Sequence, residues 1–393
     1  MQTTAIVLCS GMDDSLLDVD LPPFEYGTVS PYDMKPIKET GMSYIYNRAS
    51  GPDGKIVNER KDQISVDTLY DFFHHLFAPL SMARTIYCEF AVKKKDDGTC
   101  CSEYQQFRYF RMDTDKSWED EERCLIDAIR LFKTSRAGFG IGVLPEGGVA
   151  VNDMYQCETN YALWSFLPVF TLSESEKKDF QKFYSGFREW YTRFYPLNYG
   201  PEPSSKDLLT KKMLDLYRNA YRCNDVETAF IAISGIWELF AQQFPEQNSK
   251  IGDGVTIRIK QSVSRMIRNN GAVYERTQDN LFIKVGYLYS QRSIIVHRDK
   301  NKAFYKGCVQ LAFDITRCLI LKLFYAEDKD IETIVHNLEY CDMKEAAYKV
   351  DSVRCIPADD ELMKRIIEYD IEQEKYREQQ RSKQGGKKFK AKH

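Results

Sequence analysis

Between Pro196 and Ser205 the chain reads Pro-Leu-Asn-Tyr-Gly-Pro-Glu-Pro-Ser-Ser, and the hydrophobic rhythm differs on its two sides. Each proline fixes φ and removes a backbone donor, so neither a helix nor a central strand runs through such a segment. Before it, apolar residues alternate in short runs; after it, they recur every three to four residues. A chain of 393 residues is long enough for two domains or more, and this stretch says where they part. The expected fold class is α+β: a mixed β-rich domain over residues 1–195, an all-α bundle over 206–375, and a basic flexible tail over 376–393.

The first half carries hairpin signals. Ser43-Tyr-Ile-Tyr-Asn and Lys55-Ile-Val flank Pro52-Asp-Gly54, a turn sequence. Thr85 to Val92 alternates, breaks at Asp96-Asp-Gly98, and resumes from Tyr104 to Phe110, which predicts a second, longer hairpin. Leu125 to Phe132 has helical spacing, and the glycine-rich stretch from Gly138 to Val151 reads as strand. Ser173 and Glu176 form a capping box. Behind it Phe180, Phe183, Tyr184, Phe187, Trp190, Tyr191 and Phe194 make one aromatic stripe, read as core because a base-stacking platform needs exposed rings beside cations.

The second half predicts helices over Asp207–Tyr221, Asp225–Gln243, Val255–Arg268, Asp279–Val296 and Ala303–Tyr325, with shorter ones from Asp330 to Glu374. The second of these is apolar nearly all round, which predicts a central position. Arg258, Arg265 and Arg268 fall toward one side of the third. From Arg381 to His393 there are six Lys and Arg, two Gly and no acid, a composition that favours a solvated tail.

Several function classes find no support. No apolar run approaches the roughly 20 residues of a bilayer crossing, and the first residues lack the basic start of a signal peptide. Eleven Cys at irregular spacing fit a reducing, cytoplasmic setting better than a disulfide framework. There is no Cys-x-x-Cys, no His-Glu-x-x-His, no Walker A sequence and no Gly-x-Ser-x-Gly, so neither a metal nor another cofactor is expected. Cys100 and Cys101 read as surface residues of a hairpin turn. Gly138, Gly140 and Gly142 lack the Lys-Ser/Thr of a phosphate loop.

The five histidines are therefore few enough to weigh singly. His74 and His75 sit in an apolar helix pattern, His336 beside Asn337 has no evident partner, and His393 ends the chain. His297 differs: it closes Tyr289-Ser-Gln-Arg-Ser-Ile-Ile-Val-His297, five residues after Arg292. On an ideal helix residues five apart differ by about 140° and about 7.5 Å, so the two meet one phosphate only if the helix ends near His297 and the long Arg side chain reaches along it. A two-fold dimer that brings two such pairs together is the other solution. Cations after His297 suit a helix end, where they complement the dipole.

Arg292-x4-His297 resembles the HEPN superfamily motif, Arg-x4–6-His near the end of a helix in an all-α bundle. The local wording is similar to the Apea-like branch found in bacterial phage-defence proteins, and Trp237-Glu238-Leu239-Phe240 resembles that branch's Leu-Glu-x-Leu pattern. The resemblance spans roughly residues 206–325. It departs at Arg298, where the branch often has Gly, and at Ser293, where the wider superfamily favours Asn, Asp or His.

The resemblance implies an all-α HEPN-like bundle that cleaves RNA to a 2′,3′-cyclic phosphate and a 5′-OH end, with Arg292 and His297 catalytic and Ser293 and Glu238 supporting. Such a cut needs no metal, because RNA brings its own nucleophile, the 2′-OH. Imidazole supplies acid–base work near neutrality and a guanidinium supplies charge for the phosphate. The implied partners are an RNA substrate, a second copy in a homodimer or higher oligomer, and a phage-derived trigger; the implied setting is anti-phage defence or a toxin system in the cytoplasm. Two alternatives stay open: a non-catalytic HEPN-like module for binding RNA or protein, and an oligomerisation module serving the N-terminal domain. A purely structural reading of the motif also stays open, in which Arg292 pairs with an acid such as Glu238 or Asp299 and His297 only caps its helix.

Overall fold

A computed structural model describes residues 3–29, 43–50, 56–64, 90–94, 100–104, 107–114, 118–143, 148–150, 166–194, 202–223, 225–245, 254–268, 281–297, 303–340 and 359–390. The chain divides into two compact units, Met1–Pro203 with Tyr221–Val226, and Ser204–Ala220 with Glu227–His393. Residues 195–201, where the sequence places the boundary near residue 200, lie outside the described residues.

The strands of the first unit are β1 (Thr3–Ser10), β2 (Phe24–Val29), β3 (Ser43–Ser50), β4 (Ile56–Ile64), β5 (Phe90–Lys94), β6 (Cys100–Tyr104), β7 (Phe107–Thr114), β8 (Gly138–Val143) and β9 (Gly148–Ala150). Seven of them form one sheet in the order β2-β7-β1-β8-β9-β3-β4, antiparallel except where β3 runs alongside β9. The first expected hairpin is β3–β4, with Tyr46 opposite Lys61; its turn at 51–55 lies outside the described residues. The second differs from expectation. The strand returning to β5 is β6, which begins at Cys100 and pairs Lys93 with Cys101, so the two cysteines lie in a strand and not in its turn. Residues 85–89 lie outside the described set. The apolar run through Phe110 belongs instead to β7, paired with β1 so that Phe110 faces Val7. Alternation alone cannot tell a neighbour four residues away from one a hundred residues away.

Phe110 is fully buried, with the rings of Phe24 and Tyr26 at 5.7 and 4.8 Å. Helices α1 (Trp118–Phe132) and α2 (Glu174–Phe194) pack through Phe132 and Phe180, centroids 5.0 Å apart. Phe180, Phe183, Tyr184, Phe187 and Tyr191 are buried, so five rings of the aromatic stripe are core, while Trp190 and Phe194 are half-buried. The capping box is half formed: the Glu176 carboxylate accepts the Ser173 backbone N–H at 2.8 Å, and the Ser173 hydroxyl donates to the same oxygen.

The described part of the second unit is helical throughout its main elements. They are α3 (Ser205–Tyr221), α4 (Val226–Ala241), α5 (Gly254–Arg268), α6 (Leu281–His297), α7 (Val309–Tyr325), α8 (Ile331–Tyr340) and α9 (Asp360–Lys390). Ser204 caps α3, its hydroxyl accepting the Asp207 N–H at 3.1 Å, so the helix starts two residues earlier than expected. The Ser205 hydroxyl accepts the Ile331 N–H and donates to Asp330, which ties the starts of α3 and α8 together.

Helix α4 has Ala229, Phe230, Ile233, Ile236, Trp237 and Phe240 fully buried, and α7 buries thirteen of its seventeen residues. On α7, Asp314 and Arg317 pair with each other at 2.8 Å inside the bundle. Two expectations change here. Helix α7 begins at Val309 rather than Ala303; a 3₁₀ turn over Lys306–Cys308 precedes it. The second concerns the tail. Helix α9 runs 31 residues from Asp360 to Lys390, so the boundary drawn at 375/376 falls inside a helix and the residues to Lys390 are not a flexible tail. Glu, Lys, Gln and Arg dominate the segment and are good helix formers, and no proline interrupts it. Residues 391–393 lie outside the described set.

Candidate functional site

Helix α4 buries Ile233, Ile236, Trp237 and Phe240 completely. Trp237 fixes its rotation, the indole N–H donating to Thr316 Oγ1 of α7 at 2.8 Å. Glu238, the next residue, is thereby turned toward α6. Helix α6 buries Lys284, Val285, Leu288, Tyr289 and Gln291. Gln291 accepts the Tyr305 backbone N–H at 3.0 Å, holding the chain that follows the helix. Gly286 lets α5 come close: a Cβ there would lie 2.6 Å from Cε of Lys260, whose ammonium rests 4.1 Å from the Phe282 ring centroid.

Between α4 and α6 stands one carboxylate with two donors. Arg292 Nη2 lies 2.9 Å from Glu238 Oε1, and the Tyr289 hydroxyl donates to the same oxygen at 2.8 Å. Tyr289 and Arg292 are three apart on α6 and so share a face; the guanidinium carbon sits 5.5 Å from the Tyr289 ring centroid. Arg292 keeps 25% of its side chain exposed and Glu238 29%, so the pair is reachable from solvent. Arg292 Nε–H is itself buried and has no hydrogen-bond acceptor among the described residues. Burial, and then the Glu238 carboxylate it donates to, push the Tyr289 phenol up to about 12.

His297 is the last residue of α6 and is exposed. Arg292 and His297, five positions apart, lie on different sides of the helix, and no described contact joins the two side chains. Ser293 is exposed on α6 and makes no described hydrogen bond to Arg292, Glu238 or His297. Of the four expected site residues, then, Glu238 and Arg292 are brought together, His297 is placed at the helix end beyond them, and Ser293 stands apart. Arg298 and Asp299 lie outside the described residues, as do His74, His75 and His393. His336 is exposed on α8, 5.0 Å from the Tyr340 ring. Gly138, Gly140 and Gly142 lie in strand β8.

Sequence reasoning missed Tyr289, although it stands in the very run that drew attention to Arg292. The signal was its spacing: a hydroxyl three residues before an arginine shares the arginine's partners. Among the described residues no group of three His, Cys, Asp or Glu side chains is placed to hold a metal, and no helix is long and apolar enough to cross a membrane.

Comparison of the chain with protein-family models, with curated proteins and with solved structures gives no match.

Chemically, the arrangement offers an oriented guanidinium and an accessible imidazole on one helix. A carboxylate that holds one edge of a guanidinium leaves its other N–H groups for an anion, and the planar fork suits phosphate oxygens. An accessible imidazole can give or take a proton.

Proposed function

We propose that this chain is a metal-independent endoribonuclease of HEPN type, acting through Arg292 and His297. The observation that carries the reading is that α6 stops at an exposed His297 while Arg292, earlier on the same helix, is held by Glu238 and still open to solvent. His297 takes the proton from the 2′-OH or gives one to the leaving 5′ oxygen. Arg292 stabilises the charge that grows on the phosphate, and Glu238 orients Arg292. The products are a 2′,3′-cyclic phosphate and a 5′-OH end.

The rest of the proposal follows from this chemistry. A nuclease that cuts RNA in its own cell needs restraint, which suits a toxin or anti-phage defence role in the cytoplasm, with a phage-derived trigger. Residues 1–195 serve as the sensing or restraining part, since loops on a stable sheet commonly carry recognition surfaces. Arg292 and His297 differ by about 140° around the helix, so a homodimer that pairs the Arg292 of one copy with the His297 of another completes the site most simply.

A second reading has one observation in its favour: Arg292 is already paired with Glu238, and a cation at His297 would complement the end of the helix dipole. In that reading the helical unit binds RNA or a partner without cutting. One assay separates the two. Purified full-length chain is incubated with RNA, with and without EDTA, and the product ends are identified. The ribonuclease reading expects cyclic-phosphate ends, indifference to EDTA, and losses of about a hundredfold or more in Arg292→Ala and His297→Ala. RNA bound but uncut supports the second reading. Parental rates in both variants would move the active site elsewhere.

A further inference from the structure

We propose that Tyr289 is a positioning residue for Arg292, acting through the Glu238 carboxylate that both side chains share. The inference rests on the ribonuclease reading above and adds a residue to it.

Glu238 Oε1 receives the Tyr289 hydroxyl at 2.8 Å and Arg292 Nη2 at 2.9 Å. A single contact between an arginine and a carboxylate fixes little: the carboxylate spins about its last torsion, and the guanidinium swings with it. Two donors on one oxygen remove that freedom. Tyr289 is well suited to be the fixed member, because it is 9% exposed and has only two side-chain torsions. Its ring also lies beneath the guanidinium, at 5.5 Å, which favours the cation electrostatically.

The arrangement faces the substrate in a particular way. Nη2 is committed to Glu238, and Nε–H is buried without an acceptor among the described residues, so the guanidinium is held by one edge with donor capacity to spare. A phosphate oxygen entering from the exposed side meets an arginine already oriented. Ordering that long side chain otherwise costs rotamer entropy at the moment of reaction. Tyr289 touches neither the phosphate nor the proton in transit; its effect is carried entirely by Glu238 and Arg292.

This predicts coupling that ordinary packing does not produce. Tyr289→Phe keeps the ring and removes only the hydroxyl, so the fold is expected to survive. With the full-length chain and an RNA oligonucleotide, Tyr289→Phe is expected to lower kcat about tenfold, the worth of one hydrogen bond to a charged group, with KM changed by less than about threefold. The acidic limb of the pH–rate profile keeps its midpoint, because Tyr289 does not touch His297. In an Arg292→Ala background the same substitution is expected to add less than about twofold, since the residue it serves is gone. Glu238→Gln, which keeps an acceptor oxygen for both donors, retains more activity than Glu238→Ala.

The outcomes separate cleanly. If the parent cuts RNA and His297→Ala does not, yet Tyr289→Phe cuts at the parental rate, the positioning role is overturned and the ribonuclease reading stands. Equal losses from Tyr289→Phe with and without Arg292 also overturn it, since they mark general destabilisation. If the parent does not cut RNA, or His297→Ala cuts as well as the parent, the ribonuclease reading falls and takes this proposal with it.

Discussion

The indole N–H of Trp237 on α4 donates to the hydroxyl of Thr316 on α7 at 2.8 Å, and both residues are fully buried. Thr316 in turn donates to the Ala312 carbonyl of its own helix at 2.8 Å, so the hydroxyl is satisfied in both roles. The contact sets how α4 is turned against the bundle. Because Glu238 follows Trp237 directly, the same contact decides that the carboxylate meets Arg292.

Thr316→Val keeps the shape and removes the acceptor, leaving a buried N–H unpaired. The expected cost is about 1–3 kcal/mol, read as a lower urea midpoint followed by tryptophan fluorescence. Thr316→Ser keeps the oxygen and is expected to lose clearly less. An unchanged midpoint in Thr316→Val would mean that the indole finds another partner.

A second buried pair makes a sharper forecast. Asp314 and Arg317 are 1% and 3% exposed and lie 2.8 Å apart on one helix. Inside the bundle they carry opposite charges, so Asp314→Leu alone removes a buried countercharge of Arg317 and is expected to cost about 3–5 kcal/mol. Replacing both, as Asp314→Leu with Arg317→Met, removes the charges together and is expected to cost far less than the two single changes summed. Denaturant melts of the three variants provide the test, and simple additivity would count against the pair as drawn.

These two contacts explain what could be read beforehand and what could not. Local signals were legible: Ser173 and Glu176, the aromatic stripe of α2 and the end of α6 at His297 all depend on neighbours within a few residues. Glu238 and Arg292 were singled out from sequence, but their meeting was one of several pairings left open, since helical spacing gives a face and not its partner. The pairing of Asp314 with Arg317 was not legible for the same reason: two charges three apart on an apolar helix do not say whether they meet water or each other. The return of β7 to β1 was hidden because strand alternation carries no address. The length of α9 was missed because its charged, polar composition reads equally as a solvated tail and as a long surface helix.

Tyr289 gives a pH-dependent signature. Its phenol is pushed from the ordinary 10.0 up to about 12, first by burial and then by the Glu238 carboxylate. A folded value above the unfolded one means that the neutral phenol stabilises the fold below about pH 10, and that this contribution is lost as pH rises toward about 12. Difference absorbance of tyrosinate between the parent and Tyr289→Phe is expected to show a titration centred near 12. Glu238→Gln is expected to lower that midpoint only in part, since burial remains. Stability measured across the same alkaline window should fall less steeply in Tyr289→Phe than in the parent. A midpoint near the ordinary value would place the hydroxyl in water, away from Glu238.

The last prediction uses the division at Pro203. Residues from Ser204 onward contain the helices that bury Trp237, Val285, Leu288 and the core face of α7, so a fragment starting at Ser204 has apolar surface to fold upon. The starting residue matters. Ser204 accepts the Asp207 N–H at 3.1 Å, and Ser205 links α3 to Asp330 and Ile331 at the head of α8. Beginning at Lys206 removes the cap and the link together, an expected loss of about 1–2 kcal/mol for the cap alone. The Ser204 fragment is therefore expected to give a helical circular dichroism spectrum and a cooperative melt at higher temperature than the Lys206 fragment. If residues 1–195 restrain the enzyme, the Ser204 fragment also cuts RNA at least as fast as the full chain and slows cell growth more, both effects lost in His297→Ala. A fragment that folds but leaves RNA intact, beside a full chain that cuts it, would assign substrate binding or catalytic groups to the first unit.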